Sequence, residues 1–118
     1  MKHPGLINTI FNNNSETFKW SEKNFSKVKK IIEKYPSARQ QSAVIPVLDL
    51  AQRQNNGWLS GSAIEKVAET LSMSFIRVME VASFYSMFNL RPVGKNFIQI
   101  CRTTPCWLRG SNKLLNIA

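Results

Sequence analysis

The chain has 118 residues, 43 % of them hydrophobic and 19 % charged, and its formal net charge is +9 at pH 7. This composition is typical of a folded chain and excludes an intrinsically disordered one, and the length suits one domain, or one small domain and the start of another. No segment is apolar enough to span a bilayer, the N-terminus lacks a signal-peptide core, and the lack of arginine before Arg39 argues against a mitochondrial transit peptide. We therefore expect no direct membrane insertion, and cysteines that are reduced thiols or metal ligands rather than a disulfide.

The first twenty residues show no sustained period and are rich in asparagine, which predicts a flexible N-terminal tail over residues 1–20. Ser21 is a suitable N-cap for a first helix, and Pro36 ends it. The apolar residues of this helix recur at helical spacing: Phe25, Val28, Ile32 and Tyr35. This pattern predicts an amphipathic helix with lysines on its outer side.

Two more helices follow. The second is predicted over residues 42–54, with Pro46 in its first turn, and residues 55–57 provide a left-handed stop. The third begins at Ser60 or at Ser62; the latter choice gives a capping box with Glu65. Its predicted buried residues are Ile64, Val67, Ala68 and Leu71.

A fourth helix is predicted over residues 75–85. After it, the apolar residues no longer recur at helical spacing. The buried side of this helix is predicted to contain Phe75, Val78, Ala82 and Tyr85. Residues 97–101 have the pattern of a strand, and residues 106–117 are helical again, with weak interruptions at Gly110 and Ser111. Because one strand cannot make a sheet, this strand either docks on a partner chain or has its sister strands in sequence that is absent here.

The positive charge raises the question of nucleic-acid binding, but it is spread along the chain. Residues 1–59 carry nine basic and four acidic residues, and residues 60–118 carry seven and three. Residues 64–85 have the order of a helix-turn-helix, yet the second helix would present Glu80, Met79 and Phe84 to the phosphates beside Arg77. Two packed helices of a bundle are therefore the favoured interpretation.

The two cysteines, Cys101 and Cys106, are the only soft ligands in the chain. Spacing alone leaves open that they are small buried hydrophobic residues, but a C-x4-C turn can also hold one iron of a cluster. A two-iron two-sulfur (2Fe-2S) cluster needs four ligands, so this pair is half of a site. Cys106 would stand at a helix N-terminus, which favours a thiolate, and Trp107 is a candidate for shielding the site.

Positive charges and hydrogen-bond donors near the cysteines are suited to an anionic iron–sulfur cluster. The sequence lacks the residues or the spacing of a zinc site and of a thioredoxin redox pair. Arg102 and Arg109 add positive charge, while Thr103 and Thr104 offer hydrogen-bond donors to sulfur. His3 is the only histidine, so no zinc set exists, and the spacing is not the C-x-x-C of thioredoxins. We expect no catalytic acid, base or nucleophile in this chain.

These residues occur within a longer pattern that resembles a known family. The matching stretches are residues 35–36, 42–52, 57–59, 67–69, 80–88, 92–95 and 101–110. Together, in this order, they resemble the family of the E subunit, or 24-kilodalton subunit, of NADH:quinone oxidoreductase (respiratory complex I), from about residue 25 to residue 118. Similar subunits also occur in hydrogenases and formate dehydrogenases, so the host complex is open.

The resemblance implies an α+β architecture: a helical domain over residues 21–88, then residues 89–118 as the first strand, cysteine loop and helix of an incomplete thioredoxin-like domain. It implies that Cys101 and Cys106 are the first ligand pair of a 2Fe-2S cluster, which the chain alone should not hold stably. It also implies FMN in a partner, the flavin and NADH-binding subunit. The expected location is the peripheral arm on the cytoplasmic side of the bacterial inner membrane, or the matrix side in mitochondria.

Three hypotheses of function follow. The first is an electron-transfer subunit of an oxidoreductase, which passes electrons from NADH and FMN through the cluster. The second is a helical docking module for the flavin subunit, without a cluster of its own. The third, which the spread of charge disfavours, is a nucleic-acid binder whose affinity falls steeply with salt.

Overall fold

The computed structural model describes residues 17–118. The helices of this range are α1 (Glu22–Ile32), a short 3-10 helix (Gln40–Ala43), α2 (Val44–Gln54), α3 (Gly61–Leu71), α4 (Phe75–Phe84), α5 (Thr104–Leu108) and α6 (Ser111–Ile117). The first sixteen residues, which include His3 and most of the predicted tail, lie outside the described part. No helix of residues 17–118 has the length and hydropathy needed to cross a membrane.

The core of the helical body lies around α2, which packs against α1, α3 and α4. The largest fully buried side chains are Phe88, Leu48, Leu59, Ile64, Leu71, Val28, Val47, Val67 and Val78. The buried side predicted for the third helix is confirmed in full. On α4 the predicted burial is confirmed for Val78 and Ala82, whereas Phe75 is only half-buried. Tyr85 is 39 % exposed, since α4 ends at Phe84 and Tyr85 no longer follows the helical period.

Helix ends follow the capping residues of the sequence, with one correction. Ser21 caps α1 by accepting a hydrogen bond from the backbone N–H of Asn24. Ser60, not Ser62, caps α3, and its Oγ accepts from the backbone N–H of Ala63 at 3.2 Å. The capping-box option at Ser62 was therefore wrong, because Ser60 has the extended backbone that an N-cap requires and Ser62 lies inside the helix.

The predicted strand over residues 97–101 does not form. This stretch is irregular, and no strand occurs anywhere in residues 17–118. Phe97 and Ile98 are 51 % and 78 % exposed. A strand needs a neighbour to pair its backbone groups, and the described residues provide none. The described chain is therefore helical, and the α+β class expected from the sequence is not what it shows.

Two residues placed in the tail by the sequence pack against the folded body. The rings of Phe18 and Trp20 stack edge to face, with centroids 5.2 Å apart. Both pack against the core, and the indole N–H of Trp20 donates a hydrogen bond to Thr70 Oγ1 at 3.1 Å. The chain is therefore attached to α3 before α1 begins.

The helix pair that resembles a helix-turn-helix forms as α3 and α4, joined by a turn in which Ser72 has a left-handed backbone. Arg77 is the one basic residue of α4, and its guanidinium forms an ion pair with Glu80 at 3.1 Å. Val78, Met79 and Ala82 of the same helix are buried in the core. The packing therefore agrees with two helices of a bundle.

Candidate metal centre

The two cysteines lie at the junction between an irregular segment and α5. Cys101 comes three residues before the helix, Thr103 is its N-cap, and Pro105 occupies its first turn. Proline is favoured there because its missing N–H has no partner within the first turn anyway. Cys106 is the third residue of the helix, so its predicted place near a helix N-terminus is confirmed.

The Cys101 thiol is held by its own loop. Its Sγ lies 3.1 Å from Thr103 Oγ1. A hydrogen bond from the Thr103 side chain, a second from the Thr103 backbone N–H and a third from the Cys106 thiol lower the pKa of Cys101 below its usual value. Each of these donors stabilises the thiolate, which is the form that binds metal.

The two sulfurs are close enough to affect one another. The hydrogen bond with Cys101, followed by the charge of Cys101 and by desolvation, raises the pKa of Cys106 above its usual value. The first thiolate to form therefore opposes the second, as expected for two like charges in one turn. A cation between the two sulfurs would remove this repulsion.

The surroundings of the pair are open and basic. Cys101 is exposed and Cys106 is half-buried. Trp107, the candidate shield, leaves 54 % of its own surface exposed. Arg102, which lies inside the turn, and Arg109, which follows it, are both exposed. An anionic group can therefore reach both sulfurs from solvent or from a neighbouring chain.

The ligand set at this turn is incomplete. Across residues 17–118, no three histidine, cysteine, aspartate or glutamate side chains come together in a group that could hold a metal ion. Two thiolates are the number that one iron of a 2Fe-2S cluster takes from the protein, which is half of the four ligands of the whole cluster. The donor chemistry agrees with such a cluster, but residues 17–118 provide only two of the four thiolates that it needs.

A helical body followed by a turn that carries two thiols has the donor groups of a metal-binding or redox protein. Comparison with known proteins narrows this class. The chain belongs to the family described as Thioredoxin-like [2Fe-2S] ferredoxin, which it matches over residues 28–118. The family resemblance drawn from the sequence is thereby confirmed.

Three curated proteins show how similar this chain is to known relatives. The chain is 58 % identical over 98 residues to the E subunit of the NADH-quinone oxidoreductase of Rickettsia bellii, a match that covers 83 % of this chain and 59 % of the relative. The corresponding E subunit of Rickettsia typhi is also 58 % identical, over 101 residues, with 86 % and 59 % covered. For NADH dehydrogenase [ubiquinone] flavoprotein 2, mitochondrial, of Dictyostelium discoideum, the identity is 50 % over 109 residues, with 92 % and 44 % covered. The chain therefore spans less than two thirds of the length of these relatives.

One buried polar group near the turn was not singled out by the sequence. Ser111 begins α6, only 6 % of its surface is exposed, and its Oγ has no hydrogen-bond partner within the described part of the chain. The sequence marked it only as an interruption after Gly110, whose left-handed backbone separates α5 from α6. A serine after glycine at a helix start gives no sequence signal for burial.

Proposed function

We propose that this chain is the electron-transfer subunit of an NADH-quinone oxidoreductase, with Cys101 and Cys106 as two of the four ligands of a 2Fe-2S cluster. The observation that carries the proposal is the placement of both cysteines in one turn, with Cys101 just before the N-cap Thr103 and Cys106 in the first turn of α5. The family match includes both cysteines, and the relatives are named as subunits of that oxidoreductase.

The residues around the turn have distinct tasks in this proposal. When bound, the cluster supplies one-electron redox chemistry. The two thiolates hold one iron, and the Thr103 hydroxyl stays within hydrogen-bond distance of the Cys101 sulfur. Positive charge from Arg102 and Arg109 favours the more negative, reduced state and so raises the reduction potential. No side chain has to act as acid, base or nucleophile.

The proposed function implies that the chain contains one helical domain and the beginning of a second domain. Residues 21–88 form the helical domain, and residues 89–118 supply the first part of a thioredoxin-like domain. The apolar side chains exposed on the last two helices support this division because they need a cover: Trp107, Leu108, Leu114, Leu115 and Ile117. The additional length of the relatives is the natural source of that cover and of the other two ligands.

The partner and location follow from the subunit type. We infer that the neighbouring subunit binds NADH and FMN and that this chain receives electrons from the flavin, one at a time. The complex would place the chain in its peripheral arm, on the cytoplasmic side of a bacterial inner membrane or the matrix side of a mitochondrial one. Host complexes of the hydrogenase or formate dehydrogenase type would use the same cluster chemistry.

The test is a chimera in which this chain is followed by the part of the Rickettsia bellii relative that it does not match. After reconstitution with iron and sulfide, the chimera should show stable visible absorbance and two iron atoms per chain. The 118 residues alone should show little of either. Cys101→Ser and Cys106→Ser should each remove the absorbance from the chimera, whereas Ser111→Ala should keep it. A chimera that stays colourless would defeat the proposal.

A second candidate function is a docking module without a cluster. Exposed aromatic residues at the end of α4 favour it: Phe84 is 80 % exposed and Tyr85 39 %, and the two rings pack edge to face. This candidate predicts that capture of the flavin subunit survives the double change Cys101→Ser and Cys106→Ser. Loss of capture by that double change would exclude it.

A further inference from the structure

A groove of about 410 Å³ lies between α1 and α3, on a different part of the molecule from the cysteine turn. Its lining residues are Trp20, Phe25, Val28, Lys29, Ile32, Lys66, Glu69 and Thr70. The volume lies in the range of about 300–1,000 Å³ that is usual for ligand sites. Nothing in the proposed electron-transfer function uses this groove.

The groove exists because α1 and α3 both pack on α2 but scarcely contact each other. Val28 is fully buried and contributes to the floor. The indole N–H of Trp20 reaches across to Thr70 Oγ1 at 3.1 Å, and the Thr70 hydroxyl in turn donates to the Lys66 carbonyl at 2.6 Å. The Trp20 side chain therefore connects the two walls.

The α1 wall combines apolar surface with positive charge. Phe25, Lys29 and Ile32 follow one another at i, i+4 and i+7, so they share one side of the helix over about 10 Å. Phe25 is 43 % exposed, and Lys29 Nζ lies 4.7 Å from the centre of its ring. Cation–π contact of this kind keeps the lysine beside the groove while its charge stays accessible.

The charge balance of the groove favours an anionic occupant. On the α3 wall, Lys66 is paired with Glu69 at 2.8 Å, so these two charges offset each other. Lys29 takes part in none of the ion pairs formed between described residues. Three further lysines of α1 add to its field, against one glutamate of the same helix: Lys23, Lys27 and Lys30, against Glu22.

We propose that this groove binds an acidic amphipathic segment of a partner protein. Its apolar side chains would cover Phe25 and Ile32, and a carboxylate would pair with Lys29. A groove with apolar walls and a lysine at its side suits an amphipathic segment whose apolar face enters it, which is one of the recurring modes of peptide recognition. A second copy of this chain is a poor occupant, because two chains of net charge +9 repel each other.

The probe is a short synthetic peptide in which glutamates flank leucine and phenylalanine, and the control peptide carries lysine at every glutamate. Binding to the 118-residue chain is followed by NMR at the Trp20 indole N–H, assigned with Trp58→Phe and Trp107→Phe. The acidic peptide should shift this resonance saturably, and the lysine peptide should not. An unmoved Trp20 resonance, or equal shifts with both peptides, would overturn the proposal.

Matched variants separate the groove from general charge. Lys29→Glu should lower the affinity for the acidic peptide about tenfold, because it reverses a charge at the contact. Lys30→Glu makes the same change on the same helix outside the groove, and screening over about 8–10 Å should limit its effect to roughly twofold. Equal losses in the two variants would contradict a specific site.

The apolar half is tested with two exposed aromatic residues. Phe25→Ser should lower the affinity for the acidic peptide. Phe84→Ser should leave it unchanged, since Phe84 does not line the groove. The double change Cys101→Ser and Cys106→Ser should leave binding intact, so failure of the cluster proposal and failure of this one are distinguishable. Sedimentation that shows a dimer dissociated by the peptide would mean that a second copy is the occupant, and would also overturn the proposal.

Discussion

The side-chain carbonyl of Gln52 accepts a hydrogen bond from the backbone N–H of Asn89 at 2.7 Å. The amide nitrogen of the same side chain donates to the Met87 carbonyl at 3.1 Å. Asn89 continues the connection: its backbone carbonyl accepts from the Leu59 N–H at 2.7 Å, and its side chain donates to the Gly57 carbonyl at 2.9 Å. The segment that leads to the cysteine turn is thus fixed to the end of α2.

Gln52→Ala should lower the free energy of unfolding by about 1–3 kcal/mol, because it leaves a partly buried backbone N–H at Asn89 without its acceptor. The measurement is the urea midpoint followed by circular dichroism. Gln41→Ala is the control, since Gln41 is exposed in the short 3-10 helix. Equal midpoints for the two variants would show that the Gln52 side chain does not connect the segments.

Gly57→Ala should destabilise the fold by roughly 1–2 kcal/mol, because Gly57 has a left-handed φ of 87° that other L-residues adopt at a cost. Its new Cβ would also lie 3.1 Å from Val93 Cγ2. Gly94→Ala is a matched control: no positive φ is found there, and the nearest atom to its Cβ would be 3.9 Å away. Thermal unfolding of the two variants side by side should show a lower midpoint for Gly57→Ala alone.

Ser60→Ala should lower the free energy of unfolding by about 1 kcal/mol, because it removes the acceptor for the Ala63 N–H at the start of α3. Ser62→Ala should cost less, since Ser62 lies inside the helix. Its hydroxyl contact with Ser60, at 3.1 Å, joins two side chains and leaves the Ala63 bond in place. Denaturant midpoints decide between the two serines; a larger loss for Ser62→Ala would restore the capping box that the sequence suggested.

Thr103→Val should raise the pKa of Cys101, because the threonine hydroxyl is the largest of the groups that lower it. A higher pKa means a smaller thiolate fraction at any pH below it, so iodoacetamide should alkylate Cys101 more slowly at neutral pH. The measurement is the pH profile of alkylation in the reduced, metal-free chain, with each cysteine followed by peptide mass spectrometry. Thr104→Val, one position further on, should leave the Cys101 profile unchanged.

Local sequence signals predicted the helical body well. The spacing of residues such as Ile64, Val67 and Leu71 gives a buried helix side whatever the neighbours are, and Ser21 and Gly57 fix helix ends through their own backbone preferences. The spacing of the two cysteines marked them as candidate ligands, and the family resemblance implied their role as a ligand pair. The structure goes further than spacing, since spacing alone also allowed two small buried residues, whereas Cys101 is exposed and Cys106 only half-buried.

Features that depend on distant partners were not predictable in the same way. The strand over residues 97–101 has suitable residues but no pairing neighbour in the described chain, so its pattern was misleading. Tyr85 was assigned to the core by a period that continues one residue past the real end of α4. The groove depends on how α1 and α3 pack on α2 and on the contact between Trp20 and Thr70, which lie fifty residues apart, so no local pattern indicates it.

Electron paramagnetic resonance of the reconstituted chimera, reduced with dithionite, tests most directly whether Cys101 and Cys106 ligate iron. The expected result is the signal of a reduced 2Fe-2S cluster at close to one unpaired electron per chain, absent when both cysteines are serine. An unchanged signal in that double variant would show that the cluster is held entirely by other residues, and would contradict the assignment.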